Sequence, residues 1–171
     1  MIKEVLTYPN PILRKKSVDV TDFGGELHTL LDDMYDTMME KSGVGLAAVQ
    51  IGVLKNVLII NIPDDNDVQN KDELIEAINP VIVHKEGDIV FKEGCLSVPG
   101  FHEEVTRYNK VVVEYLDRNG EKKSMEAEDF LAVAWQHEIE HLRGHVFIEK
   151  LSYLKRKKFE KEYKKLQKKK R

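Results

Sequence analysis

The stretch Gln136-His137-Glu138-Ile139-Glu140-His141-Leu142-Arg143-Gly144 carries an H-E-x-x-H pattern. On a helix, side chains four residues apart stand one turn above each other on the same face, so His137 and His141 can offer two imidazole nitrogens to one metal ion. Glu138 lies about 100° round the helix from His137, within reach of a water on that ion but out of line to ligate it. Two metal ligands plus a general base is the arrangement that metal-assisted hydrolysis uses. The surrounding run, about Glu128 to Leu142, sets Phe130, Leu131, Ala134, Trp135 and Leu142 on one broad apolar face. Gly144 stands where a helix end needs a residue tolerant of left-handed backbone. Glu138 falls between Trp135 and Leu142, so its carboxyl is expected to be buried and its pKa raised into the range useful for proton transfer.

A solvated pair of histidines is the plainer reading of such a helix, but a buried carboxylate needs a partner, which favours the metal site. Two histidines leave that site incomplete, because a catalytic site of the zinc type takes three protein ligands and one open position. The extended protease pattern H-E-x-x-H-x-x-G-x-x-H fits through Gly144 and then requires His at the position of Phe147. His145 is out of register, so the third ligand must come from elsewhere in the chain.

The 171 residues suit one domain with a full core, and 42% hydrophobic against 33% charged residues describe a soluble globular protein. No run approaches eighteen consecutive apolar residues, and the start Met1-Ile2-Lys3-Glu4-Val5-Leu6 lacks the apolar core of a signal peptide. A cytoplasmic protein without membrane contact is therefore expected. The lone cysteine, Cys95, has no internal disulfide partner; it is read as a buried small hydrophobe, a nucleophile or a metal ligand. Charge is unevenly spread. Residues 150–171 hold 12 Lys or Arg against 2 Glu, which is +10, while residues 1–149 hold 15 basic and 28 acidic residues, which is −13. A basic tail on an acidic body suggests contact with nucleic acid or a charged surface.

Residues 1–23 read as an irregular arm, since Tyr8-Pro9-Asn10-Pro11 cannot be helical throughout. A helix from about Glu26 to Glu40 follows from Leu27, Leu30, Leu31, Met34 and Met38. Gly43-Val44-Gly45-Leu46-Ala47-Ala48-Val49-Gln50 reads as a tight turn under small residues, or as backbone that a ligand approaches closely. It lacks the third Gly of a dinucleotide loop and the Lys of a P-loop. Val57-Leu58-Ile59-Ile60 marks a buried strand, and Ile78–Val83 and Asp88–Phe91 read as two strands joined near Glu86-Gly87. Val105–Leu116 and Lys122–Met125 flank Asn119-Gly120, the signature of a two-residue hairpin turn. A second long helix is expected from about Ser152 to Arg171, with Phe159, Tyr163 and Leu166 as an apolar stripe. Ending the chain after Ser152 is expected to leave catalysis nearly intact.

Read together, Gly43-Val44-Gly45-Leu46-Ala47-Ala48-Val49-Gln50, Glu93-Gly94-Cys95-Leu96-Ser97 and Gln136-His137-Glu138-Ile139-Glu140-His141 resemble, in order and rough spacing, the motifs G-x-G-x-A-A-x-Q, E-G-C-x-S and Q-H-E-x-D-H of the peptide deformylases. The resemblance covers nearly the whole chain. One position departs: Glu140 stands where the family has Asp. The resemblance implies an α+β fold, mostly antiparallel strands around the H-E-x-x-H helix with the C-terminal helix outside. It divides the chain into a catalytic part, residues 1–150, and a basic helix, residues 151–171. It implies that Cys95, His137 and His141 hold one divalent metal ion, Fe(II) in the cell, with nickel, cobalt or zinc able to substitute. Thiolate plus two imidazoles is a plausible catalytic donor set.

The implied reaction is hydrolysis of the formyl group from the N-formylmethionine of nascent bacterial polypeptides, releasing formate. Glu138 takes the proton from water and hands it to the leaving amine. The Gln50 amide and the Leu96 backbone N–H meet the developing oxyanion. Val44 and Gly45 bind the peptide backbone, and Val44, Phe91, Val133, Ala134 and His137 enclose the methionine side chain. The C-terminal helix would dock on the ribosome. Two rival readings are weaker. A zinc endopeptidase needs a ligand after the helix, where His145 is misplaced, and a structural metal in an RNA-binding protein needs a fourth protein ligand that no second Cys supplies.

Overall fold

The computed structural model describes residues 1–169, running through α1 (Gly25–Glu40), β1 (Gly45–Ala47), β2 (Val57–Ile60), β3 (Ile75–Glu86), β4 (Ile89–Cys95), β5 (Val98–Arg107), β6 (Lys110–Leu116), β7 (Lys122–Glu128), α2 (Asp129–Leu142) and α3 (Tyr153–Lys169). Five strands form an antiparallel sheet in the order β1-β2-β3-β6-β7, and β4 and β5 pair separately as a two-stranded sheet. This is the expected α+β architecture, with α2 at its centre.

Strand β2 explains why the sheet is layered as it is. All four of its residues are buried, because both faces of the sheet are covered. Side chains alternate along a strand. Leu58 and Ile60 pack with Ala132, Trp135, Ile139 and Leu142 of α2. Val57 and Ile59 point the other way, onto Leu27, Leu31, Met34 and Met38 of α1. Each such side chain contributes about 1.5–3 kcal/mol of burial. Helix α2 is thereby fixed against the sheet at the level where β1 and β4 end.

The C-terminus of α2 closes with the Gly144 N–H donating to the His141 carbonyl at 3.0 Å and the His145 N–H donating to the Glu140 carbonyl at 2.9 Å. This cap needs left-handed backbone, and Gly144 has φ +85°. A Cβ at Gly144 would also stand 2.4 Å from the Arg14 carbonyl oxygen, so only glycine fits.

A third cluster gathers Leu13, Val98, Phe101, Val105, Phe147 and Phe159, with Cys95 and Tyr8 packed at its edge. Phe159 of α3 is 2% exposed and sits edge-on to Phe101 at 4.7 Å between ring centroids. Lys155 of α3 also pairs with Glu103 of β5 at 3.5 Å. The first turns of α3 therefore belong to the packed body, and ending the chain after Ser152 would empty a core position, so the expectation that such a truncation leaves catalysis nearly intact is revised to one of lost stability. Of the stripe expected on this helix, Phe159 and Tyr163 face Tyr8, while the Leu166 side chain lies outside the described residues.

Four local expectations change. The run Gly43–Gln50 is a short edge strand followed by a 3-10 turn. Strands β3 and β4 are consecutive but belong to different sheets, so Gly87 ends one sheet rather than closing a hairpin. The run Val105–Leu116 is two strands, broken at Tyr108-Asn109. The β6–β7 loop is longer than two residues: Gly120 donates to the Asp117 carbonyl at 3.0 Å and has φ +81°, which is a type I turn closed by a left-handed glycine.

Candidate active site

Helix α2 carries His137 and His141 one turn apart, as the spacing requires. Strand β4 ends at Cys95 and brings the thiol to them. The His141 Nε2 atom lies 3.2 Å from His137 Nε2 and 3.3 Å from Cys95 Sγ, and all three donors fall within 4.8 Å of one another. Tetrahedral ligands about 2.1 Å from an ion stand about 3.4 Å apart, so these residues fit a single metal ion. His145 is not among them; its side chain is 58% exposed and pairs with Glu149 at 2.8 Å.

The ligand orientation is enforced from behind. His137 Nδ1 lies 2.8 Å from Glu93 Oε1, which leaves Nε2 facing Cys95 and His141. Arg107 grips the same carboxylate, donating from Nε to Oε2 at 2.7 Å and from Nη2 to Oε1 at 2.8 Å. Burial opposes charge on Glu93, but its bonds to Arg107 and His137 hold its pKa below the usual carboxylate range. The third guanidinium nitrogen lies 2.6 Å from Glu140 Oε1, close enough for an ion pair although not aligned as a hydrogen bond. Glu140 Oε1 reaches Lys150 as well, at 2.8 Å. The longer side chain at this position thus ties α2 both to β5 and to the segment before α3.

Glu138 is 5% exposed, and its Oε2 has no hydrogen-bond partner. Its Oε1 lies 3.8 Å from His137 Nε2. Burial pushes its pKa up to about 7, against the pull of His137. The carboxyl rests on Gly45, where a Cβ would meet it at 3.1 Å. Gln50 is held by its carbonyl, which accepts from the Ala47 N–H at 2.9 Å. Its amide nitrogen consequently points at Ser97 Oγ, 3.1 Å away, and at Cys95 Sγ, 3.6 Å away.

A cavity of about 810 Å³ opens over these groups. Val44, Gly45, Phe91, Leu96, Val133 and Ala134 line it, so every expected pocket residue is present. Gly45 also turns its backbone toward it. The Val44 carbonyl accepts from the Asn61 N–H at 2.8 Å, and Gly45 follows in register opposite Ile60. Antiparallel bonding alternates, so the Gly45 N–H and C=O point away from β2 into the cavity.

The family model of polypeptide deformylase matches residues 2–157. The chain belongs to the polypeptide deformylase family. It is 57% identical over 163 residues to the peptide deformylase of Wolinella succinogenes, covering 95% of this chain and 96% of that one. The crystal structure of a peptide deformylase from Legionella pneumophila superposes with a TM-score of 0.89 at 42% identity, over 98% of each chain. The Met-Ala-Ser-bound peptide deformylase of Acinetobacter baumannii superposes with a TM-score of 0.82 at 31% identity, over 88% of this chain and 99% of that one. As a deformylase the protein is a metal-dependent hydrolase that removes the N-formyl group of nascent polypeptides. Among the described residues no helix is long and apolar enough to cross a membrane.

One residue of this deformylase site escaped the motifs. Glu93 lies inside one of them, but its role depends on Arg107, which no motif contains. A signal was present: Phe101, Glu103, Val105 and Arg107 alternate along one strand, and an arginine on the inward side of such a pattern demands a buried carboxylate.

Proposed function

We propose that Cys95, His137 and His141 hold the catalytic divalent ion and that Glu138 is the proton carrier of deformylation. When bound, the ion supplies Lewis acidity, lowering the pKa of water and polarising the formyl carbonyl. Glu138 accepts a proton from the attacking water as the water oxygen bonds to the formyl carbon. The Gln50 amide and the Leu96 N–H donate to the oxygen on which charge develops. Glu138 then delivers its proton to the methionine nitrogen as the C–N bond breaks, giving formate and a free amine. A carboxyl with a pKa near 7 serves both steps at neutral pH. Val44 and Gly45 hold the peptide as an added strand, and Val44, Phe91, Val133, Ala134 and His137 form the methionine pocket. Met-Ala-Ser, bound by the Acinetobacter baumannii relative, is the product such a site would release.

The position of Glu138 carries this reading: buried, unpaired at Oε2, and one residue from the donor cluster. Anaerobically prepared protein is expected to release formate from formyl-Met-Ala-Ser in proportion to the divalent metal measured in the same sample. A full complement of metal without formate release would overturn it. Fe(II) is the ion this reading assigns in the cell, with nickel, cobalt or zinc able to replace it. Thiolate and Fe(II) both oxidise readily, so the iron form should decay in air while the nickel form survives.

Residues 1–150 are read as the catalytic part and residues 151–171 as a basic helix that meets the ribosome in the cytoplasm. The +10 charge of residues 150–171 supports this, since a basic helix on RNA phosphates gains by counterion release. Because Phe159 is part of the core, the suitable test is charge reversal at the exposed Lys157, Lys161 and Lys164, not truncation. Salt-sensitive co-sedimentation with ribosomes should be lost; unchanged co-sedimentation would refute the contact.

A further inference from the structure

Strand β1 is an edge of its sheet, and it is a short platform of three residues, Gly45–Ala47. The ladder behind it is equally short. It runs from Ala47 opposite Leu58 to Gly45 opposite Ile60, and one further bond follows, from the Asn61 N–H to the Val44 carbonyl at 2.8 Å. Beyond that point the two chains part, one leading back to α1 and the other into the loop before β3. The half-buried Gln69 side chain closes the gap between them. Its amide nitrogen donates to the Asn61 carbonyl at 2.7 Å and to the Gly43 carbonyl at 3.0 Å. Two carbonyl acceptors fix which end of the amide faces them. Gln69 thus adds a side-chain rung to the β1–β2 ladder, one step past its last backbone bond.

The rung is itself held. Asn61, fully buried, donates from its side chain to the Asn70 carbonyl at 2.9 Å, which ties the neighbour of Gln69 to the end of β2. The loop folds on Asp64, whose Oδ1 accepts from the N–H groups of Asn66 and Val68 at 2.9 and 3.0 Å. Gly43, at the other end of the rung, has little freedom. Its N–H donates to the Met38 carbonyl of α1 at 2.9 Å, and a Cβ on it would stand 2.8 Å from Leu96 Cδ1. The bond from Gln69 to the Gly43 carbonyl completes that grip. Gly43, Val44 and Gly45 line the cavity, whereas Gln69 stands behind them, outside the lining.

We propose that Gln69 is a positioning residue for the substrate: by bridging Gly43 and Asn61 it holds the Val44–Gly45 backbone in line for the peptide that adds to it as a further strand. This rests on the reading of Val44 and Gly45 as the peptide-binding edge and assigns what keeps that edge in place. An added strand gains its affinity from main-chain hydrogen bonds, and these are strongest when donors and acceptors are aligned before binding. Gln69 acts through Gly43 rather than on the reacting atoms, so its effect falls on KM and leaves kcat nearly as it is. The effect grows with the length of peptide laid along the edge.

The test compares the metal-loaded parent with Gln69→Leu and Gln69→Glu. Leucine removes the donor, while glutamate keeps the shape of the side chain and sets a carboxylate against two carbonyls. With formyl-Met-Ala-Ser, KM should rise about tenfold in both, as expected for one or two neutral hydrogen bonds lost, with kcat within about twofold of the parent. The advantage of formyl-Met-Ala-Ser over formyl-methionine amide in kcat/KM should shrink in both variants. The calorimetric Kd of Met-Ala-Ser should rise by the same factor as KM. A side chain that served only packing would let Gln69→Glu behave as the parent. Parent-like KM and Kd in that variant therefore overturn the proposal, as does a loss carried by kcat at unchanged KM. The calorimetry needs no turnover, so weaker Met-Ala-Ser binding in variants of a protein that releases no formate would strike the catalytic reading and leave Gln69 in its role.

Discussion

Arg107 holds Glu93 by two parallel hydrogen bonds, of 2.7 and 2.8 Å, and Glu93 in turn holds His137. A residue on β5 thus sets the direction of a ring on α2 without touching the donor cluster. Bidentate geometry fixes the carboxylate plane, which a lysine at the same place would not do.

Replacing Arg107 by Met should leave the buried Glu93 carboxylate without its ion-pair partner, held by His137 alone. Removing one partner of a buried pair costs about 3–5 kcal/mol. For a chain of this size that is a fall in Tm on the order of 6–20 °C. Metal affinity should fall about 10–100-fold, because the ring of His137 loses its support. An unchanged melting temperature by calorimetry would show that Arg107 is not the anchor.

Glu138→Ala should behave in the opposite way. The carboxyl is buried with Oε2 unpaired, so removing it should not lower Tm. Formate release should nevertheless drop by about 10²–10⁴-fold, with metal content unchanged. Near-normal turnover with metal bound would remove Glu138 from the mechanism.

Metal content also separates the ligands. Cys95→Ala should abolish tight binding, whereas His145→Ala should leave it as it was, since His145 is exposed and bonded to Glu149. Elemental analysis of the two purified variants decides the matter; the reverse pattern would point to a protease-like site.

Gly45→Ala tests the floor under the base. The added Cβ would stand 3.1 Å from the Glu138 carboxyl, tighter than ordinary contact. Turnover should fall through displacement of that carboxyl, with the fold retained, since Gly45 does not use left-handed backbone. Equal kcat in parent and variant would mean the carboxyl position is not critical.

The attachment of α3 predicts a contrast along one helix. Phe159→Ala should cost about 3–5 kcal/mol by emptying a core position. Leu154→Ala, at a site 78% exposed, should stay within about 0.5 kcal/mol. Denaturant titrations of both would check it; equal midpoints would mean that α3 is only loosely attached.

Local patterns were legible wherever one element explains itself. The apolar spacing of Leu27 to Met38 gave α1 to within a residue, and the run Val57–Ile60 gave β2 without ambiguity. Strand β1 was not legible, because three residues are too few to show a period and Gly45, with Gly43 just before the strand, mimics a turn. The break at Tyr108-Asn109 was hidden because neither Gly nor Pro marks it.

The sequence by itself determined that His137, Glu138 and His141 share a turn of helix, since 3.6 residues per turn is a local property of the backbone. It also determined that Glu138 would be buried, because Trp135 and Leu142 flank it on the apolar face. The family motifs supplied Cys95 as a partner, but no spacing rule places a residue 46 positions from His141. Only the packing of β4 against α2 brings that thiol to 3.3 Å, and only the pairing of β4 with β5 brings Arg107 behind Glu93. Contacts between distant residues are set by how whole faces fit together, and that information is spread over every side chain in the interface rather than written at the site.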